Sequence, residues 1–241
     1  MKEIYDMHTH ILPRVDDGAA SLREALEILE DQVNQGVRGI LLTPHYRLGR
    51  FETAESELYT SYKLLVHEAS KHFPRLKLRL ACEFHAAPHM DELLTQRRFC
   101  ALDGERTVLL EFSSVDTRDY IKEKTLELMA CGYRPILAHV ERFPALYGEM
   151  DLLRDFRIRG VALQVNADSI LGLGDIRARK FCKILLKHRM VDYIASDVHN
   201  MTTRPSHIGQ CADLIEKKCG EEYARELFVT NPGRFFPEVT P

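Results

Sequence analysis

Short apolar runs that each stop on a histidine or a carboxylate recur along this chain, and that recurrence constrains the fold more than any other feature. The first run leads into Asp6-Met-His-Thr-His10. Later runs lead to His45 behind Leu-Leu-Thr-Pro, to Glu83, to Glu111 in Val-Leu-Leu-Glu-Phe, to His139 in Pro-Ile-Leu-Ala-His, and to Ser196-Asp-Val-His199. His8 and His10 stand two apart on a strand, so both project to the same side. Imidazoles and carboxylates are the natural ligands of divalent first-row metals, and a buried carboxylate needs a compensating charge. Each group taken singly also reads as a satisfied polar side chain. The ordered set reads as one shared metal site.

Helical segments separate the apolar runs. Strands are expected over residues 4–8, 38–43, 76–83, 107–112, 135–140, 161–166 and 193–197. Helices are expected from the capping-box pattern Ser21-Leu-Arg-Glu24 to about Gly36, then over 54–71, 90–97, 118–131, 150–159, 176–187, 206–218 and 221–229. Seven βα units imply a parallel sheet. In an open sheet only strands near the switch point share a site. Candidate ligands at the ends of six of the seven strands meet only if the sheet curls, with the chemistry at its C-terminal rim. The fold class is therefore α/β, a distorted seven-stranded (βα)7 barrel, and residues 1–241 form a single domain.

The charge balance, 33 Lys and Arg against 36 Asp and Glu, gives about −3 and no global basic field for nucleic acid. No apolar run approaches the roughly 20 residues needed to span a bilayer, and the start, Met-Lys-Glu-Ile-Tyr-Asp, lacks a secretory apolar segment. A cytoplasmic enzyme without membrane insertion is expected. The six cysteines (82, 100, 131, 182, 211, 219) show no CxxC spacing and read as reduced, partly buried thiols. Cys100 and Arg106 have the Cys-x5-Arg spacing of thiol-dependent phosphatases. Two carboxylates in the intervening Ala-Leu-Asp-Gly-Glu would repel an anion there, so the spacing reads as coincidence.

Taken together, Asp6-Met-His-Thr-His10, Val15-Asp-Asp-Gly18, Thr43-Pro-His45, Glu83, Glu111, Ala138-His-Val-Glu-Arg142 and Ser196-Asp-Val-His-Asn200 with Thr203-Arg-Pro205 resemble the polymerase-and-histidinol-phosphatase (PHP) superfamily over residues 3 to about 235. The resemblance is to its bacterial tyrosine-protein phosphatases of capsule and exopolysaccharide synthesis. It implies three metals, usually manganese, with iron or zinc as alternatives. By resemblance, His8, His10, Glu83 and Asp197 hold the first; Glu83 bridges to a second held also by Glu111 and His139; Asp17, His45 and His199 hold the third. Asp16, adjacent and equally acidic, competes with Asp17 on residues alone. Arg142 and Arg204 match the family's phosphate-contacting arginines, and guanidinium forks suit phosphate oxygens. Asp197 and His199 join them as expected catalytic groups.

The implied reaction is phosphomonoester hydrolysis by a hydroxide held between metals, with phosphotyrosine favoured because a phenolate of pKa near 10 leaves more readily than an alkoxide. The implied partner is a phosphotyrosine protein, a bacterial tyrosine kinase tail. Three other readings compete: a small-molecule phosphatase acting on histidinol phosphate or nucleotides, a metal-dependent amidohydrolase, and a non-catalytic metal-stabilised regulator. Arg47 and Arg50 on the loop after His45 are candidates for receiving an acidic peptide. His85 and His207 are candidates for supporting or touching the site.

Overall fold

The computed structural model describes residues 3–97 and 100–236; the expected domain 1–241 runs past them at both ends. Among the described residues the strands are β1 (Ile4–Asp6), β2 (Val37–Leu42), β3 (His45–Tyr46), β4 (Lys77–Leu80), β5 (Glu83–His85), β6 (Thr107–Glu111), β7 (Arg134–Leu137), β8 (Ala162–Asn166) and β9 (Tyr193–Ala195). The α-helices between and after them are α1 (Leu22–Asn34), α2 (Glu55–His72), α3 (Met90–Gln96), α4 (Arg118–Ala130), α5 (Met150–Ile158), α6 (Ala167–Leu171), α7 (Ile176–Lys187), α8 (Ile208–Cys219), α9 (Glu221–Arg225) and the single turn α10 (Asn231–Gly233).

Among the described residues every pairing between these strands is parallel, in two sheets ordered β1-β2-β4 and β3-β5-β6-β7-β8-β9. A parallel bridge between Thr9 and Val198 links the chain beyond β1 to the chain beyond β9, so the sheet curls back on itself. His10 N–H donates to Val198 O (2.9 Å) and Asp197 N–H to His8 O (3.0 Å) at this closure.

The run expected at 38–43 is found as β2, which stops at Leu42 ahead of Pro44, and a further short strand, β3, follows the proline; the run expected at 76–83 divides into β4 and β5. Proline has no N–H to give the ladder, and the chain bends where it sits. The ladder is carried across the bend by Ala81 N–H to Leu42 O (2.9 Å) and Glu83 N–H to Pro44 O (3.1 Å). The last expected helix also divides, into α9 and a π-helical turn, Glu226–Thr230.

Side-chain alternation sorts the core into an outer and an inner layer. On β2, Ile40 and Leu42 join the cluster under the helices while Leu41 joins the inner one; on β6, Val108 and Leu110 go out and Leu109 in. The inner cluster of Met7, Leu41, Leu109, Ile136 and Tyr193 is closed at one end by Phe235 and Phe236. Helix α1 shows how the outer layer is made. Ser21 Oγ accepts from Glu24 N–H (3.2 Å) at its start, and Ala25, Ile28, Leu29 and Gln32, at helical spacing, form its buried face. Helix α2 buries only Leu58, Leu65 and Ala69 of its 18 residues, as its charge predicts.

Contrary to the expectation of reduced thiols throughout, Cys82 and Cys100 are disulfide-bonded, with Cα atoms 4.5 Å apart. The 18-residue separation gives no sequence signal, because α3 and its flanking loops lie between the two. Cys131, Cys182, Cys211 and Cys219 are free.

Candidate metal centre

The C-terminal ends of the strands bring all nine expected ligands to one place. His8 and His10, just past β1, turn their Nε2 atoms toward each other at 3.3 Å. Glu83 Oε2 lies 3.3 Å from each of these nitrogens and 2.9 Å from His45 Nδ1. Glu83 Oε1 faces His139 Nε2 at 2.7 Å, and Glu111 stands 3.8 Å from that nitrogen and 3.7 Å from His45 Nδ1. Asp197 Oδ1 lies 3.6 and 3.4 Å from the Nε2 atoms of His8 and His10. Asp17 Oδ1 is 3.4 Å from His45 Nε2 and 3.6 Å from His199 Nε2.

Four sets of these donors converge closely enough for one ion each: His10, Asp17, His45 and His199; His8, His10 and Asp197; His8, Glu83 and His139; and His45, Glu83 and Glu111. Facing imidazole nitrogens, both of which cannot be protonated without repulsion, and a buried Glu83 Oε2 and His199 Nε2 without hydrogen-bond partners, leave lone pairs aimed at common points. Divalent cations fit such a donor set; an ordinary hydrogen-bonded core would have paired these atoms.

Asp16 and Asp17 separate here. Asp16 Oδ2 takes a hydrogen bond from His10 Nδ1 (2.7 Å) and from His45 N–H (3.0 Å), and its Oδ1 accepts from Gly18 N–H (3.0 Å). It orients His10 from behind, while Asp17 reaches the imidazoles of His45 and His199. Gly18 lets this loop press on the strand, since a Cβ there would lie 1.9 Å from His10 O. Asp6, in the same motif but outside the expected set, is fully buried and clamps the structure: it accepts from Ser196 N–H (3.1 Å) and Gln32 Nε2 (2.8 Å), tying β1 to β9 and α1.

Both expected arginines converge on Asp197. Arg142 Nη1 and Arg204 Nη2 lie 2.8 and 2.9 Å from its Oδ2. Asp197 (φ +55°) and His139 (φ +31°) both adopt left-handed backbone that side-chain-bearing residues rarely take. Such strain, about 1–3 kcal/mol each, persists where the surroundings fix it and clusters at functional sites.

Burial and charge shift the titrations in opposite directions. Burial disfavours charge on Asp197 and Glu83, but Arg142 and His8 hold Asp197 well below the usual carboxylate range, and His8 and His45 do the same for Glu83. Glu111, buried beside the Glu83 charge, is pushed up to about 9. Burial and the Arg142 charge push His139 down to about 4, and burial with the His10 charge does the same to His199. Burial opposes protonation of His10, yet Asp16 and the neighbouring carboxylates raise it well above the usual imidazole value.

The donors open into a polar cleft of about 170 Å³ lined by Asp17, His45, Glu111, His139, Asp197, Arg142, Arg204, Arg47, Arg50 and Phe51. Arg47 and Arg50 reach it from a tight hairpin in which Arg47 and Phe51 exchange backbone hydrogen bonds. Phe51 stacks on His45 with ring centroids 5.1 Å apart, a contact with no signal in the sequence. His207 does not enter the cleft, because Asp168 Oδ1 takes its Nδ1 at 2.9 Å. His85 Nδ1 hydrogen-bonds to Ala86 O instead of a ligand. Cys100 is buried and disulfide-bonded, and Arg106 stacks over Tyr133, so the Cys-x5-Arg spacing forms no phosphate loop.

Residues 4–237 match the family model described as capsular polysaccharide synthesis, CpsB/CapC. The chain belongs to that family. It is 32% identical over 231 residues to the tyrosine-protein phosphatase CpsB of Streptococcus agalactiae serotype V, covering 94% of this chain and 95% of that one. It is 32% identical over 233 residues to the CpsB tyrosine-protein phosphatase of Streptococcus pneumoniae, covering 94% and 96%. A crystal structure from work on YwqE from Bacillus subtilis and CpsB from Streptococcus pneumoniae, described as unique metal-dependent tyrosine phosphatases, superposes with a TM-score of 0.83 at 27% identity, over 92% of this chain and 90% of that one.

Proposed function

We propose that this protein is a metal-dependent protein-tyrosine phosphatase acting on a phosphotyrosine protein, a bacterial tyrosine kinase of capsular or exopolysaccharide synthesis, in the cytoplasm. The observation that carries the reading is the convergence of nine donors and two arginines on one cleft in a CpsB/CapC chain. His8, His10, Glu83 and Asp197 would hold one manganese ion, Glu83 with Glu111 and His139 a second, and Asp17, His45 and His199 a third. Bound there, the metals would activate water for attack and polarise the phosphoryl oxygens.

The chain's own groups do the rest. Arg142 and Arg204 meet at Asp197 Oδ2 and present their remaining N–H groups to the cleft, where they bind the phosphate dianion and offset charge in the transition state. Asp197 fixes both guanidiniums on one side and faces the imidazoles on the other. The cleft accommodates an anion and little more, so the phenyl ring and peptide lie across the rim by Phe51, Arg47 and Arg50.

The same reading takes the fold as one domain built on a seven-staved (βα)7 barrel. Counting β2 with β3 and β4 with β5 as single bent staves leaves seven, and the Thr9–Val198 bridge supports closure between the first and last.

Turnover of a phosphotyrosine peptide and of histidinol phosphate, each with manganese and with a chelator, tests the function. Metal-dependent hydrolysis with the peptide strongly preferred is expected. Preference for histidinol phosphate would transfer the protein to the small-molecule reading, and no hydrolysis by the metal-loaded protein would leave the regulator. Anomalous scattering from untreated crystals counts and identifies the metals.

A further inference from the structure

The strand β8 supplies neither a histidine nor a carboxylate to the cleft, yet its inward residues are polar. Leu163 and Val165 face the outer core and Ala162 packs against the inner cluster. By alternation Gln164 and Asn166 also face inward, 0% and 1% exposed. A polar pair sealed there is costly unless every group is matched.

The matching fixes both amides. The backbone N–H of His139 can only donate, and it donates to Gln164 Oε1 at 2.8 Å. That oxygen must therefore also be the acceptor for His8 Nδ1 at 3.1 Å, so His8 carries a proton on Nδ1 and turns its Nε2 toward Glu83, Asp197 and His10. Gln164 Nε2, the remaining end, donates to Asn166 Oδ1 at 2.7 Å. Asn166 Nδ2 then donates to Asp197 Oδ2 at 2.8 Å, on the oxygen that both arginines reach. The end of β8 is tied to the same region from behind, since Asn166 N–H donates to Glu141 Oε1 at 3.1 Å.

We infer that Gln164 and Asn166 form a directional amide relay in which Gln164 is a positioning residue for His8 and His139, and Asn166 for Asp197. The inference rests on the proposed reading that these side chains hold metals. The relay sets the tautomer of His8, holds the strained backbone at His139 through its N–H, and keeps Asp197 Oδ1 turned to the metals by binding Oδ2. Partners behind metal ligands of this kind typically change metal affinity by about 10- to 100-fold when removed.

Three variants test it: Gln164→Met, which keeps size but accepts nothing; Gln164→Glu, which restores the acceptor for His8 and His139 but not the donor to Asn166; and Asn166→Ala. Manganese affinity is read by chelator competition, and the His8 tautomer by ¹⁵N NMR of metal-free protein at a pH where the ring is neutral, so that no bound metal dictates the protonated nitrogen. Gln164→Met is expected to bind manganese about 10- to 100-fold more weakly and to lose the single Nδ1–H tautomer. Gln164→Glu is expected to recover the tautomer and most of the affinity, and Asn166→Ala to weaken affinity less than Gln164→Met with the His8 tautomer intact. Wild-type affinity and tautomer in Gln164→Met overturn the relay, as does a Gln164→Glu variant no better than Gln164→Met. If Gln164→Met does not fold, Gln164→Glu and Asn166→Ala decide: loss of the His8 tautomer in the former, or its loss in the latter, overturns the assignment. A wild-type protein that binds no metal would instead overturn the underlying metal reading.

Discussion

On the floor of the cleft, His8, His10, Glu83 and Asp197 are each at most 3% exposed, and nearly every oxygen and nitrogen there faces an opposite or complementary charge. At the rim, Arg47 and Arg50 stand on a five-residue hairpin that is open to solvent, with Phe51 braced between His45 and the Arg50 guanidinium. The floor is rigid because it is made of strand ends whose backbone is shared with the sheet. The rim is held by two backbone hydrogen bonds and ring stacking. Charges on the floor act in a medium that screens them little, whereas those on the rim are weakened by water and salt. Chemistry therefore belongs to the floor and substrate preference to the rim.

Breaking the floor should have the largest effect. Chelation, or Asp197→Ala, is expected to lower kcat by about 10³-fold or more, since the metals supply several kcal/mol of charge stabilisation; steady-state rates together with metal content check this. Arg142→Ala and Arg204→Ala should each cost about 10²–10³ in kcat/KM, the typical loss for one oxyanion donor. If their metal content stays near wild type, the arginines act on phosphate; if it collapses, their main task is holding Asp197.

At the rim, the double variant Arg47→Ala, Arg50→Ala should raise KM for an acidic phosphotyrosine peptide by less than about tenfold, and raised salt should erase the difference from wild type. The same variant should leave p-nitrophenyl phosphate turnover nearly unchanged. A large loss on both substrates would dissolve the distinction between floor and rim.

The floor also predicts a pH dependence. Glu111 ordinarily titrates near 4.5 and is raised to about 9 in the folded protein. A raised folded value stabilises below 4.5 and loses that contribution as pH climbs toward about 9. The thermal stability of metal-stripped protein should therefore fall between pH 5 and 9, and metal uptake at pH 7 should release protons, measurable by calorimetry in buffers of different ionisation enthalpy. The smallest effect is expected from Cys100→Ser, which should leave kcat within about twofold because the sulfur is buried in a disulfide and does not line the cleft.

Much of this was legible in the order of residues. Strand-end histidines and carboxylates, spaced by helices, fixed the parallel topology and the ligand candidates, because strand periodicity and metal chemistry both act through local residue type. Arg142 and Arg204 were legible only through family resemblance, since a lone arginine after a strand carries no signal of its own. Sequence could not separate Asp16 from Asp17, two neighbours of identical chemistry; their difference lies in which imidazole each can reach across the Gly18 loop. Nor could it find Gln164 and Asn166, whose amides look like ordinary polar strand residues until alternation and a backbone N–H from another strand define what they must bind. The Cys82–Cys100 bond, the division of the third expected strand into β4 and β5, and the Asp168 partner of His207 share that cause. Residue type and spacing determined what kinds of groups this protein brings together. Only the tertiary structure decided which atoms of those groups face each other, because that depends on contacts between residues as far apart as His8 and Gln164.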